Sequence, residues 1–105
     1  MSHTSVATTD VPTATNAVQL SSGRRRVRRI YFKAHEGNTG DVYLGDSTVS
    51  STNGISLDQA RPGTDWHTID YTPSSESEDY FYVDAATNGD DLDWLMVFVE
   101  SGTKE

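Results

Sequence analysis

The sequence predicts an all-β fold: a small antiparallel β-sandwich (jelly-roll or immunoglobulin-like) or barrel of six to seven short strands, with an extended N-terminal arm. Three observations carry this. Turn signals recur roughly every ten residues, among them Gly37-Asn-Thr-Gly40, Ser51-Thr-Asn-Gly54 and Thr87-Asn-Gly-Asp90, a spacing typical of β-sandwiches and barrels. Glycine and asparagine suit such turns because they reach positive φ at little steric cost. Between the turns apolar and polar residues alternate, the period of a strand with one buried face. No segment makes a convincing amphipathic helix.

Residues 1–16 are rich in Ser, Thr and Ala and show neither a strand nor a helix period. They read as an extended or flexible arm, mobile unless a neighbouring subunit holds it. The β domain spans 17–100, and 101–105 is a tail. Residues 17–20 read as a short first strand, closed by Ser21-Ser-Gly23. A long strand follows over 24–35, with Ile30, Phe32 and Ala34 on its core face and Arg25, Arg29 and Lys33 opposite. Val42 and Leu44 point inward on the next strand, as do Ile55 and Leu57 on the one after. A turn at Arg61-Pro-Gly63 leads to a strand over 65–71, and 73–79 is a solvated acidic loop. Residues 80–83 form another strand, and Thr87-Asn-Gly-Asp90 reads as a hairpin turn. The last strand, 92–99, is apolar on both faces, with Leu92, Trp94, Met96 and Phe98 on one and Leu95, Val97 and Val99 on the other. Such a strand belongs in the centre of a sheet or under a partner.

Charge is unevenly placed. Six of the eight basic residues lie between Arg24 and Lys33, and from residue 34 onward fifteen carboxylates face only Arg61 and Lys104. A surface this acidic repels nucleic acid and anionic membranes over most of its area. With two lysines and eleven aspartates, it also resembles proteins adapted to high salt. There is no cysteine, so neither disulfides nor thiolate metal sites contribute. No run approaches the ~18 apolar residues of a membrane span, and no apolar signal region leads the chain.

Arg24, Arg25, Arg26, Arg28 and Arg29 are the sharpest local feature. They are expected to pair with carboxylates inside the subunit or across a subunit interface, or to dock on an acidic partner. Tyr31 and Tyr43, out of phase with their core-facing neighbours, are expected at the surface or an interface, so both join these arginines as candidate docking residues. A sugar-stacking platform drawn from Tyr31, Tyr43, Trp66 and Tyr71 is a weaker possibility. The runs Glu76-Ser-Glu78-Asp79 and Asp90-Asp91-Leu-Asp93 lack the spacing of a calcium loop. His3, His35 and His67 lack metal-ligand spacing, and no nucleophile elbow or phosphate-binding loop is present. The expectation is a protein without cofactor, metal or enzymatic activity.

Several of these motifs together resemble a family of small all-β accessory proteins of tailed viruses. The resemblance covers residues 18–98. It rests on Arg28-Arg29-Ile30, on Asn38-Thr-Gly40 with Val42-Tyr43 and Gly45-Asp-Ser47, and on Thr52-Asn-Gly54 with Leu57. Tyr82-Val-Asp-Ala-Ala86 followed by Gly89 adds to it. The bulkier 61–67 segment and the acidic 74–79 loop depart from the family pattern. The resemblance implies a non-enzymatic virion protein, decorating the capsid or associated with its vertices, and docking through the N-terminal arm and the basic strand to stabilise the particle. Its partners would be the major capsid protein or sister subunits in a homo-oligomer, and neither nucleic acid nor membrane. The same residues would serve a neck, tail or baseplate subunit, or a host-attachment module that binds carbohydrate. The acidity suggests a virus whose host lives in salt, such as an archaeal one.

Overall fold

Two antiparallel sheets face each other in the computed structural model, which describes residues 4–58, 66–71 and 75–99. The strands are β1 (Thr4–Val11), β2 (Val18–Gln19), β3 (Arg26–Ala34), β4 (Val42–Gly45), β5 (Ile55–Leu57), β6 (His67–Asp70), β7 (Glu76–Ser77), β8 (Tyr82–Ala85) and β9 (Asp90–Phe98). The larger sheet runs β1-β9-β3-β6, with β7 also paired to β3, and the smaller runs β2-β8-β4-β5. Two separate ladders make this a β-sandwich and not a closed barrel. The Arg61-Pro-Gly63 turn, Asp65, and the tail at 101–105 lie outside the described residues.

The core forms where the inward faces of the sheets meet. Val11, Val27, Ile30, Phe32, Leu92, Trp94, Met96 and Phe98 enter from the larger sheet, and Val42, Leu44, Leu57, Val83 and Ala85 from the smaller. Phe81 plugs the gap ahead of β8. Apolar area removed from water supplies the main favourable free energy, at roughly 25 cal/mol per Å². β9 lies between β1 and β3, the central position its two apolar faces require.

The N-terminal segment is extended but is not a separate arm. Residues Thr4–Val11 pair with β9 at every position, from Thr4 opposite Val97 to Val11 opposite Asp90. Val11 is fully buried, and the buried Trp94 donates from Nε1 to Thr9 Oγ1 at 2.8 Å. Its Ser/Thr composition hid the strand because an edge strand takes its stability from the neighbour it pairs with.

Four other local expectations change. Ile55 is 40% exposed, because β5 is a three-residue edge strand and only Leu57 reaches the core. The 73–79 segment is a loop only in part, since β7 and a 3-10 turn at Glu78–Tyr80 lie within it. Thr87-Asn-Gly-Asp90 is not a hairpin: it carries the chain from β8 in one sheet to β9 in the other. Finally, Val27 is buried together with Ile30, Phe32 and Ala34, although strict alternation would put it on the opposite face. Val27 pairs with Phe98 and Arg29 with Val97, so Arg28 is an extra residue, a β-bulge that shifts the phase of the strand.

The Asn38-Thr-Gly40 turn is bolted to the start of β9. The two carboxylate oxygens of the buried Asp90 accept from the backbone N–H groups of Thr39 (2.9 Å) and Gly40 (2.7 Å). Asn38 exchanges two hydrogen bonds with the Asp91 backbone, donating to its carbonyl (2.8 Å) and accepting from its N–H (2.9 Å). Asp90→Ala would leave two donors unpaired and is expected to cost ~3 kcal/mol in urea unfolding, with a smaller loss for Asp90→Asn. Removing residues 1–11 strips one neighbour from β9 and uncovers Trp94. Thermal unfolding followed by circular dichroism should show a loss of ~3 kcal/mol or more, or no folded state at all.

Candidate functional site

The basic cluster divides into arginines paired inside the domain and arginines whose side chains pair with no described residue. Arg25 belongs to the first group. Its Nε donates to Glu78 Oε1 at 3.0 Å, and its backbone N–H reaches the same oxygen at 2.9 Å. Ser21 Oγ donates to Glu78 Oε2 at 2.7 Å, and the Glu78 N–H returns a bond to the Arg25 carbonyl at 2.9 Å. The Arg25 guanidinium lies over the Phe98 ring, 3.8 Å from its centroid. Glu78 itself is 2% exposed. Gly23 packs directly against it, and a Cβ there would push on the Glu78 carboxylate.

Arg26 bonds Ser75 through its Oγ (3.0 Å) and its carbonyl (3.2 Å). Arg29 donates to Asp70 Oδ2 at 2.8 Å and to the Tyr31 hydroxyl at 3.2 Å. The exposed Arg24 and Arg28 side chains make no hydrogen bond or ion pair with any described residue. Tyr31 is half-buried on the outer face of the larger sheet. Tyr43, expected at the surface, is only 9% exposed. Burial, with Asp41 and Asp84 close by, raises its hydroxyl above the ordinary tyrosine value. It therefore drops out of the docking set.

The outer face of the larger sheet brings the remaining candidates together. Strand register places Val6, Leu95, Tyr31 and Thr68 in one row across β1, β9, β3 and β6. A neighbouring row holds Val97, Arg29 and Asp70. Val6 is 69% and Trp66 46% exposed. Tyr31, Trp66 and Leu95 line a shallow, open cleft of about 360 Å³, and Lys33 Nζ sits 5.0 Å from the Trp66 ring centroid. Sequence reasoning singled out Tyr31 and the arginines but missed Val6, because the segment holding it read as unstructured. The apolar second face of β9 was the signal for Leu95 and Val97.

His35 Nδ1 lies 2.8 Å from Asp93 Oδ1, which resembles the orienting half of a triad. The nearby Thr8 hydroxyl, however, donates to that same Asp93 oxygen at 2.7 Å, so it is not positioned to give its proton to the imidazole. No group of three metal-ligating side chains converges among the described residues. No protein-family model matches the chain, and no significant similarity to a curated protein or a solved structure was found.

Burial pushes the Glu78 carboxyl up, but the hydrogen bonds from Arg25 and Ser21 and the Arg25 charge outweigh it and hold the group below the usual glutamate range. A carboxylate depressed in the folded state stabilises fully above its unfolded value of ~4.3, and that stabilisation is lost as pH falls through the folded value. Glu78→Gln is therefore expected to lose about 2 kcal/mol at neutral pH. The difference from the parent protein should shrink as the pH is taken below that of an ordinary glutamate, as read by urea unfolding across the acid range.

Proposed function

We propose that this chain is a non-enzymatic structural component of a tailed-virus particle, a capsid-decorating or vertex-associated subunit docking through the outer face of its larger sheet. One observation supports the docking surface above the others. Arg28, Arg29 and Lys33 share this face with Val6, Tyr31, Trp66, Leu95 and Val97, in a chain of formal charge −8. Apolar and aromatic groups with arginine beside them are the composition of an interface centre. The virion assignment itself comes from the sequence resemblance. The partner would be an acidic shell protein or a sister subunit, and the acidic loops would face solvent.

Particles purified from cells carrying the gene are the direct test. The chain should be present at a fixed ratio to the shell protein. An Arg28→Glu/Val97→Lys double variant, checked for native folding, should be incorporated at least ~10-fold less. Absence of the unaltered chain from purified particles would overturn the reading. A second reading, attachment to host-surface sugars, draws on the Tyr31–Trp66–Leu95 cleft, because aromatic faces stack on sugar rings. It requires binding on a glycan array that is lost in Trp66→Ala.

A further inference from the structure

The sheet edges differ sharply in length. β2 has two residues, β5 three and β6 four, while β1 has eight. An edge strand presents a row of backbone donors and acceptors on its unpaired side, and proteins blunt such edges by shortness, charge, proline or a bulge. β1 carries none of these devices between Thr4 and Thr9. It pairs with β9 without a register shift, holds no charged residue before Asp10, and meets proline only at Pro12, just past its end. Among the described residues no strand pairs with the outer side of β1, and an uncharged edge stands out in a chain that is otherwise densely acidic.

We infer that β1 is a self-pairing edge: two copies of this chain join antiparallel, β1 to β1, across a two-fold axis through Val6, fusing the two larger sheets into one. A two-fold axis perpendicular to the sheet keeps each face on its own side. Residues that meet across it must then be an even number of positions apart. Centring on Val6 sets Val6 against Val6 and Ser5 against Ala7 of the second copy, and it leaves Asp10 outside the contact. Val6 already stands beside Leu95, which stands beside Tyr31, so this register makes one unbroken apolar row across both copies. Isologous pairing also caps both open edges at once, leaving neither to seed further strands.

A second copy fits better than a foreign strand because the edge is its own complement in charge and shape. Opposing carboxylates are absent from the contact, while the two chains repel through their overall charge of −8 each. Raising salt screens that repulsion without weakening backbone hydrogen bonds or apolar contact. The dimer is therefore expected to strengthen as salt rises. The inference is independent of the particle assignment, because it concerns the chain alone in solution.

Light scattering coupled to size exclusion tests it on the full chain at ~100 µM, a concentration that populates even a weak dimer. The expected mass is twice the 11.5 kDa of one chain. Val6→Lys and Val6→Glu each place two like charges opposite one another, and each should run as a folded monomer. Mixed in equal amounts, they should recover the doubled mass. Val6 is 69% exposed, so neither change disturbs the core, and circular dichroism confirms the fold. A monomeric parent chain, a dimer that survives both variants, or a dimer that dissociates as salt is raised would each overturn the inference.

Discussion

Strand β9 is hydrogen-bonded on both sides, to β1 and to β3, so its backbone is fully used and its two faces are free for different tasks. One face, Leu92, Trp94, Met96 and Phe98, fills the sandwich. The other, Leu95 and Val97, forms the floor of the outer face. Its first residue, Asp90, fixes the turn that carries the chain from β3 in one sheet to β4 in the other. Core, surface and the crossing between sheets thus share one nine-residue segment. A substitution there that altered the register by one residue would exchange core for surface along its whole length.

The acidic character of the chain hides a division of labour. Glu78 and Asp90 are buried and accept from backbone and side-chain donors, so they act as fasteners. Asp91 is in a harder position. It stands opposite Asp10 across the β1–β9 pair, and its Oδ1 is buried without a donor. Burial, followed by the neighbouring Asp10, raises its carboxyl above the usual aspartate range. Two acceptors face each other there, and neither carboxylate can donate to the other while both are ionised. A count of carboxylates cannot separate these roles, because donors decide which acid is satisfied.

The strand pattern was legible wherever a strand had one buried neighbour face and a turn at each end. Val42, Leu44, Leu57 and the even positions of β3 past the bulge read correctly from alternation alone. β1 was illegible because Thr and Ser carry little hydrophobic signal and the strand depends on tertiary pairing. The burial of Glu78 was hidden for a different reason. Its donors, Ser21 and Arg25, lie more than fifty positions away in the chain. The turn motifs that carried the family resemblance proved to be scaffold. Asp46 Oδ1 accepts from the Thr48 N–H and hydroxyl, and Asn53 Nδ2 reaches back to Thr48. Gly54, at φ +142°, leaves no room for a Cβ beside the Leu44 carbonyl. Such residues speak to how the chain turns.

The bulge at Arg28 makes β3 two strands of opposite phase in one piece of chain. Ahead of it, odd-numbered Val27 reaches the core; beyond it, even-numbered Ile30, Phe32 and Ala34 do. Excising Arg28 would leave Val27, Arg29 and Ile30 opposite Phe98, Val97 and Met96 in one unbroken alternation. Were Arg28 instead drawn into the ladder as an ordinary strand residue with Ile30 and Phe32 kept in the core, Val27 would turn to solvent and the chain leading to Arg25 and Glu78 would rotate with it. The bulge, by leaving Arg28 out of the ladder, is what turns both halves of β3 toward one core.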